Sequence, residues 1–181
     1  MFRRFSIAPD PVTNIIVGDN ETGKSTLLEA ITLALSGRVD GRWANEELDP
    51  YWFNAEDMRD YLTAYATAPV APAPSIHIEL YFDSDDPDVQ RMRGVHNSLR
   101  LDCPGTKLEV ARNLDYDDKF AAYMADMAAP DRPDVLPTEY FEAAWRDLIT
   151  RIAFGFASPE ALIGLAMLSL GGHPPVLPGR K

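Results

Sequence analysis

"NIIVGDNETGKSTLLEAI", Asn14 to Ile31, is the stretch on which the reading of this chain turns. Thr13 to Val17 is a run of apolar and β-branched residues bounded by Pro11 and Gly18, and it predicts a short buried strand. From Lys24 to Leu35 the pattern changes. Leu27, Leu28, Ile31 and Leu35 fall on one face of a helix, and Gly37 stands where a helix stops. Between strand and helix, Gly18, Asp19, Asn20, Glu21, Thr22, Gly23, Lys24 and Ser25 satisfy G-x-x-x-x-G-K-[ST] in full.

That spacing has a chemical rationale. Gly18 is expected to let the chain turn sharply off the strand, and Gly23 to let backbone approach a phosphate with no side chain between. Backbone N–H groups of the loop and the helix dipole then favour an anion. The Lys24 ammonium is expected on the β- and γ-phosphates and the Ser25 hydroxyl on Mg²⁺. Thr26, next in the first turn, is placed to reach the α-phosphate. Glu21 would repel phosphate if it faced inward, so its side chain is expected to point to solvent. Gly18 through Thr26 are thus the expected ATP-binding residues, with Ser25 as the metal ligand. The alternative, a strand–helix turn that binds nothing, does not account for the full motif in its strand–helix setting.

The whole chain has 181 residues, 46% of them hydrophobic and 25% charged, as in a globular domain with a subdomain. Its formal net charge is -11 and it has no basic run. Arg91 and Arg93 stand beside the acidic stretch Asp83 to Asp88, which reads as a solvated loop rather than a DNA contact. One cysteine, Cys103, excludes an internal disulfide and fits a reducing cytoplasm. It reads as a strand-end residue, since no His and Asn or Asp arrangement supports a nucleophile there. His77, His96 and His173 show no metal-ligand spacing. The apolar stretch Ile152 to Leu170 is broken by Gly155, Pro159, Glu160 and Gly164, so no membrane span is expected.

Along the chain, Phe5 to Ile7 reads as the end of a first strand whose beginning is missing. Asp40 to Asn54 reads as irregular and aromatic; Trp43, Tyr51, Trp52 and Phe53 are expected in the core rather than stacked on a base. Ala55 to Ala66 reads as a helix, and Ala68 to Ser75 as a Pro/Ala linker. The period then becomes two. "SIHIELYFD", "SLRLDC" and "TKLEVAR" predict a three-stranded antiparallel meander. Its first strand would be half-exposed, its last two joined by a turn at Pro104-Gly105, and Ser84 to Asn97 would be a mobile acidic loop. Asp117 to Ala128 reads as a helix and part of Thr138 to Phe154 as another, with Tyr140 and Trp145 in the core. Ser158-Pro159 reads as a helix start and Gly171-Gly172 as its stop.

"VGDNETGKSTLLEAI" resembles the phosphate loop of the RecF/SMC-like branch of ABC-type ATPases. It looks most like the ATPase domain of the OLD family of ATP-dependent endonucleases, through Gly18, Asn20, Gly23, Lys24, Ser25, Thr26 and the following "LLEAI". The stretch Leu35 to Asn54 and the β-meander are also similar. The resemblance covers residues 1–146, most strongly 12–54. It implies an α/β fold: the N-terminal lobe of an ABC-type P-loop NTPase with an antiparallel β-subdomain, the core sheet incomplete. The segments would be 1–67, the strand–loop–helix core; 68–113, linker and meander; 114–146, helix and loop; and 147–181, a tail unlike the family. The resemblance further implies ATP and Mg²⁺ as ligands, a head-to-head homodimer or a complementing chain carrying the Walker B and signature motifs, and DNA as an indirect partner in repair or anti-phage defence. It does not carry over the nuclease domain.

The chain departs from that pattern. No Walker B strand is visible; "ELYFD" ending at Asp83 is the nearest, and its alternation marks a different kind of strand. Leu168, Ser169, Leu170 and Gly171 resemble a signature motif but read as a helix stop before Pro174-Pro175. Gln90, in the acidic loop, is a poor Q-loop residue. No catalytic residue is assigned. Two other readings stay open: a small-molecule P-loop kinase with Arg91, Arg93 and Arg100 on a lid, and a non-catalytic truncated remnant or binding module.

Overall fold

The computed structural model describes residues 3–65, 72–126, 136–148 and 165–170. In chain order the elements are β1 (Phe5–Ile7), α1 (Lys24–Ser36), β2 (Arg38–Val39), β3 (Arg42–Trp43), α2 (Ala55–Tyr65), β4 (Ile76–Phe82), α3 (Pro87–Gln90), β5 (Arg93–Gly94), β6 (Cys103–Arg112), α4 (Asp117–Asp126), β7 (Phe141–Asp147) and β8 (Leu165–Leu170). The fold is mixed α/β with antiparallel sheets.

The alternation of β4 and β6 builds the centre of the larger sheet. They pair antiparallel from Ile76↔Val110 to Tyr81↔Gly105. The far edge of β6 is shared by β7, from Arg112↔Phe141 to Thr106↔Asp147, and by β5 at Pro104 and Cys103. Beyond β4 lie β8 and then β1, all antiparallel. Strands of this one sheet come from each of the four segments 1–67, 68–113, 114–146 and 147–181.

Register decides what each face carries. Leu80 lies opposite Thr106, and Leu108 lies opposite both Ile78 and Trp145. Side chains directly across an antiparallel pair share a face, and this face packs under α1 through Leu27, Leu33 and Ala34. Leu80, Leu108 and Val110 are fully buried there, each contributing about 1.5–3 kcal/mol. The other face of β4 carries Glu79 and Tyr81. It is covered by the loop after β5: the Ser98 N–H donates to Glu79 at 2.9 Å, and the hydroxyls of Ser98 and Tyr81 donate to the same carboxylate. Burial, then the bond to Glu79, pushes the Tyr81 hydroxyl pKa well up. A second cluster is aromatic. Phe120 of α4 meets Tyr65, Tyr140 and Phe141 edge-on, and Phe141 meets Phe53.

Several expectations are corrected. Thr13 to Val17 forms no strand, and Ile15 and Val17 are 81% and 83% exposed. No described strand lies beside it to pair with. Asp10 and Asn14 also close a local turn: the Asp10 side chain accepts from Val12 N–H at 2.8 Å, and Asn14 Nδ2 donates to the Asp10 carbonyl. Such short polar bonds compete with strand pairing. Pro104-Gly105 is not a turn but lies inside β6. Gly105 is there because a Cβ would stand 2.2 Å from the Leu80 carbonyl. "SLRLDC" is accordingly no separate strand before Cys103. β4 is not half-exposed, since residues 78–82 are buried on both faces.

Residues 84–97 are a built cap, with α3, β5 and the buried Val89 and Met92. Residues 141–147 are a strand, not a helix; Phe141, Trp145 and Asp147 are buried on one face, a period of two that a short mixed run hides. Leu165 to Leu170 is a strand where a helix was expected. The run of six is too short for its periodicity to settle the type, and the place between β1 and β4 decides it. The rest of that helix, 158–164, lies outside the described residues, as do 127–128 and 149–154. Asp40 to Asn54 is not wholly irregular. β2 and β3 form a hairpin whose Asp40 and Gly41 both take positive φ, a type I′ turn.

Candidate functional site

The expected binding residues surround the N-terminus of α1. Gly23 precedes the helix with φ 86 and ψ 16, a left-handed conformation that glycine adopts without steric cost. No side chain caps this end, so the first helical N–H groups remain available to a ligand. The first helical bond runs from Leu27 N–H to the Gly23 carbonyl at 2.9 Å. Glu21 is also left-handed, φ 67, and is exposed.

Lys24 folds back over the loop. Its Nζ donates to the Gly18 carbonyl at 2.7 Å and the Asp19 carbonyl at 2.5 Å. An ammonium has three donors; two fix its position, and the third reaches only the Thr22 hydroxyl at 3.4 Å. The charge is thus held beside the uncapped helix end. Thr22 Oγ1 itself donates to the Asp19 carbonyl at 2.9 Å. Gly18 has no positive φ, so its role differs from the expected sharp turn. A Cβ at position 18 would stand 2.7 Å from Thr22 Oγ1. Ser25 is exposed on the first turn and Thr26 is half-buried. The Ser25 hydroxyl on that exposed turn is an oxygen donor of the kind Mg²⁺ takes.

The other end of α1 is anchored. Gly37 closes the helix in a left-handed conformation, its N–H on the Leu33 carbonyl at 2.7 Å. The Ala34 carbonyl accepts two buried donors from the sheet, Thr106 Oγ1 at 2.8 Å and Trp145 Nε1 at 2.6 Å. The sequence placed Trp145 in the core but gave no sign of this bond, because its partner lies 111 positions away.

The remaining residues singled out above lie elsewhere. Asp83 is exposed just past β4, an antiparallel strand. Gln90 is engaged inside the cap, with Nε2 on the Ser84 carbonyl and Oε1 accepting from Arg93. Leu168 and Ser169 belong to β8, not to a helix end, and Gly171 lies outside the described residues. Arg91 pairs with Asp88 at 3.0 Å, and Arg93 donates to the Asp102 carbonyl at 2.6 Å. The Ser98 loop, which carries Arg100, covers the sheet face opposite α1, so the lid arrangement is not seen.

Burial raises the Cys103 thiol pKa, the reverse of activation. His77 meets Ser75 Oγ at 3.0 Å. Among the described residues no group of three or more His, Cys, Asp or Glu is placed to hold a metal. No described helix is long and apolar enough to cross a membrane. Phe53 is in the core and Trp52 packs against it, but Tyr51 is 79% exposed and Trp43 lies at the surface under Arg38, 4.1 Å from its ring.

A family profile described as an AAA domain matches residues 1–96, just over half of the 181. Two curated proteins share a short segment with the chain. Both are named "Transposase for insertion sequence element IS1557", from Mycobacterium tuberculosis strains CDC 1551 / Oshkosh and ATCC 25618 / H37Rv. Each is 76% identical over 33 residues, 18% of this chain, and the chain spans 7% of the length of each. No solved structure matches the chain.

Proposed function

We propose, from the premise that this chain belongs to the AAA domain family, that Gly18, Asp19, Asn20, Glu21, Thr22, Gly23, Lys24, Ser25 and Thr26 bind ATP with Mg²⁺. Nucleotide binding of the ATPase type is the family's property. The loop as the site, and the OLD/RecF-like role in DNA processing, are our reading. The observation that carries it is the Lys24 ammonium, held on two loop carbonyls beside the uncapped N-terminus of α1. Backbone N–H groups and the helix dipole would bind phosphate oxygens, Lys24 would neutralise them, and Ser25 would ligate the metal. Mg²⁺ supplies charge neutralisation at the phosphates when bound. Calorimetry with MgATP tests this: wild type binds and Lys24→Ala binds about a hundredfold more weakly. Equal binding by both would overturn it.

Hydrolysis by this chain alone is expected at background, since the sequence carries no recognisable Walker B strand and Asp83, its nearest candidate, follows an antiparallel one. A Lys24-dependent turnover of about 1 s⁻¹ or more would refute that. A second copy of the chain, head to head, or a complementing chain is the expected partner, in the cytoplasm. The exposed Val12, Ile15 and Val17 support a missing neighbour. They also support the alternative that the chain is a non-catalytic remnant. That alternative expects the 33-residue transposase-like segment to fall within 147–181, the part unlike the family.

A further inference from the structure

We propose that the Thr22 hydroxyl is the strut that sets the shape of the phosphate loop, a positioning residue acting through Lys24. This rests on the nucleotide-binding reading above and goes beyond it, because the motif leaves position 22 free. Two contacts meet at this hydroxyl, and a third shares its acceptor. Thr22 Oγ1 donates to the Asp19 carbonyl at 2.9 Å. The same carbonyl accepts from Lys24 Nζ at 2.5 Å. The ammonium stands 3.4 Å from Thr22 Oγ1.

A hydroxyl that donates to Asp19 turns its lone pairs toward the ammonium, so Thr22 holds the loop closed and helps to centre the charge. Gly18 completes the device: a Cβ there would stand 2.7 Å from Thr22 Oγ1, closer than a hydroxyl tolerates. Because Gly18 does not need a left-handed φ, the space kept for Thr22 is the steric reason for glycine at that position. The loop holds Lys24 in place before the ligand arrives, which lowers the ordering cost of binding phosphate.

The test is calorimetry of the full chain with MgATP, with magnesium pyrophosphate, and with adenosine. Thr22→Val keeps the shape and removes the donor. It is expected to weaken MgATP and pyrophosphate binding alike, by roughly three- to tenfold, the range of one lost hydrogen bond. Thr22→Ser is expected to restore most of it. Gly18→Ala is expected to weaken binding in the Thr22 chain and to do less in a Thr22→Ala chain, where the added methyl has room. Thermal melting should be unchanged in all four, because the loop is exposed. Wild-type affinity in Thr22→Val, or a Gly18→Ala effect independent of residue 22, would overturn the strut. A wild-type chain that binds neither MgATP nor pyrophosphate would instead overturn the nucleotide-binding reading itself.

Discussion

The two ends of α1 have opposite designs. At the C-terminal end Gly37 closes the helix on Leu33, and the buried Ala34 carbonyl receives Thr106 and Trp145 from β6 and β7. At the N-terminal end no side chain caps the helix, and among the described residues the Thr22 and Lys24 side chains bond within the loop. A helix normally has unpaired N–H groups at its start and unpaired carbonyls at its end. Here buried donors from the sheet fill a carbonyl near one end, while no side chain caps the N–H groups at the other.

Substitutions at the two ends should therefore separate, those at the C-terminal end moving melting and those at the loop moving affinity. The largest effect is expected from Trp145→Ala. It removes a buried ring packed against Gly37 and one partner of Ala34, at about 3–5 kcal/mol by chemical denaturation. A loss below about 1 kcal/mol would show that the anchor is not there. Next comes Lys24→Ala, expected to cost about 3 kcal/mol of MgATP affinity, a hundredfold, from lost charge-assisted bonds to phosphate. Its melting temperature should stay within a degree or so of wild type; a large drop would mean that the loop also carries stability.

The double variant Thr106→Val with Trp145→Phe sharpens the comparison. Each alone leaves Ala34 one donor and should cost about 1 kcal/mol. Together they strand a buried carbonyl, so the pair should lose more than the sum of the singles. Strict additivity in the denaturation midpoints would show that the two donors act independently.

The smallest effect is expected from Tyr61→Phe. The Tyr61 hydroxyl is buried and makes no hydrogen bond of ordinary geometry among the described residues, so at neutral pH its removal should change stability by less than about 0.5 kcal/mol. Burial raises its pKa from 10.0 to about 12, against the opposing pull of the Arg112 charge. The folded pKa lies above the unfolded one. The unfolded chain therefore loses its proton first, and this tyrosine's contribution, whole below pH 10, is lost as the pH rises through 12. Tyr61→Phe should remove that part of the alkaline loss. Identical wild-type and variant melting curves from pH 9 to 12 would contradict it.

What the sequence determined by itself is local. The start and stop of α1, the alternation of β4 and the phosphate motif all depend on neighbours within a few positions, where sterics and periodicity act. The Asp40-Gly41 dipeptide carries a hairpin signal of the same local kind. Other features belonged to the tertiary structure. Thr13 to Val17 has the residues of a strand, but a strand exists only where another backbone pairs with it. Pro104-Gly105 has the residues of a turn, yet the approach of the Leu80 carbonyl makes it part of β6. Leu165 to Leu170 takes its form from the gap between β1 and β4. The motif named the loop's residues, but the bonds that set its shape, Thr22 and Lys24 on two carbonyls, appeared only once the chain was folded, because a hydrogen bond is fixed by distance in space and not by spacing along the chain.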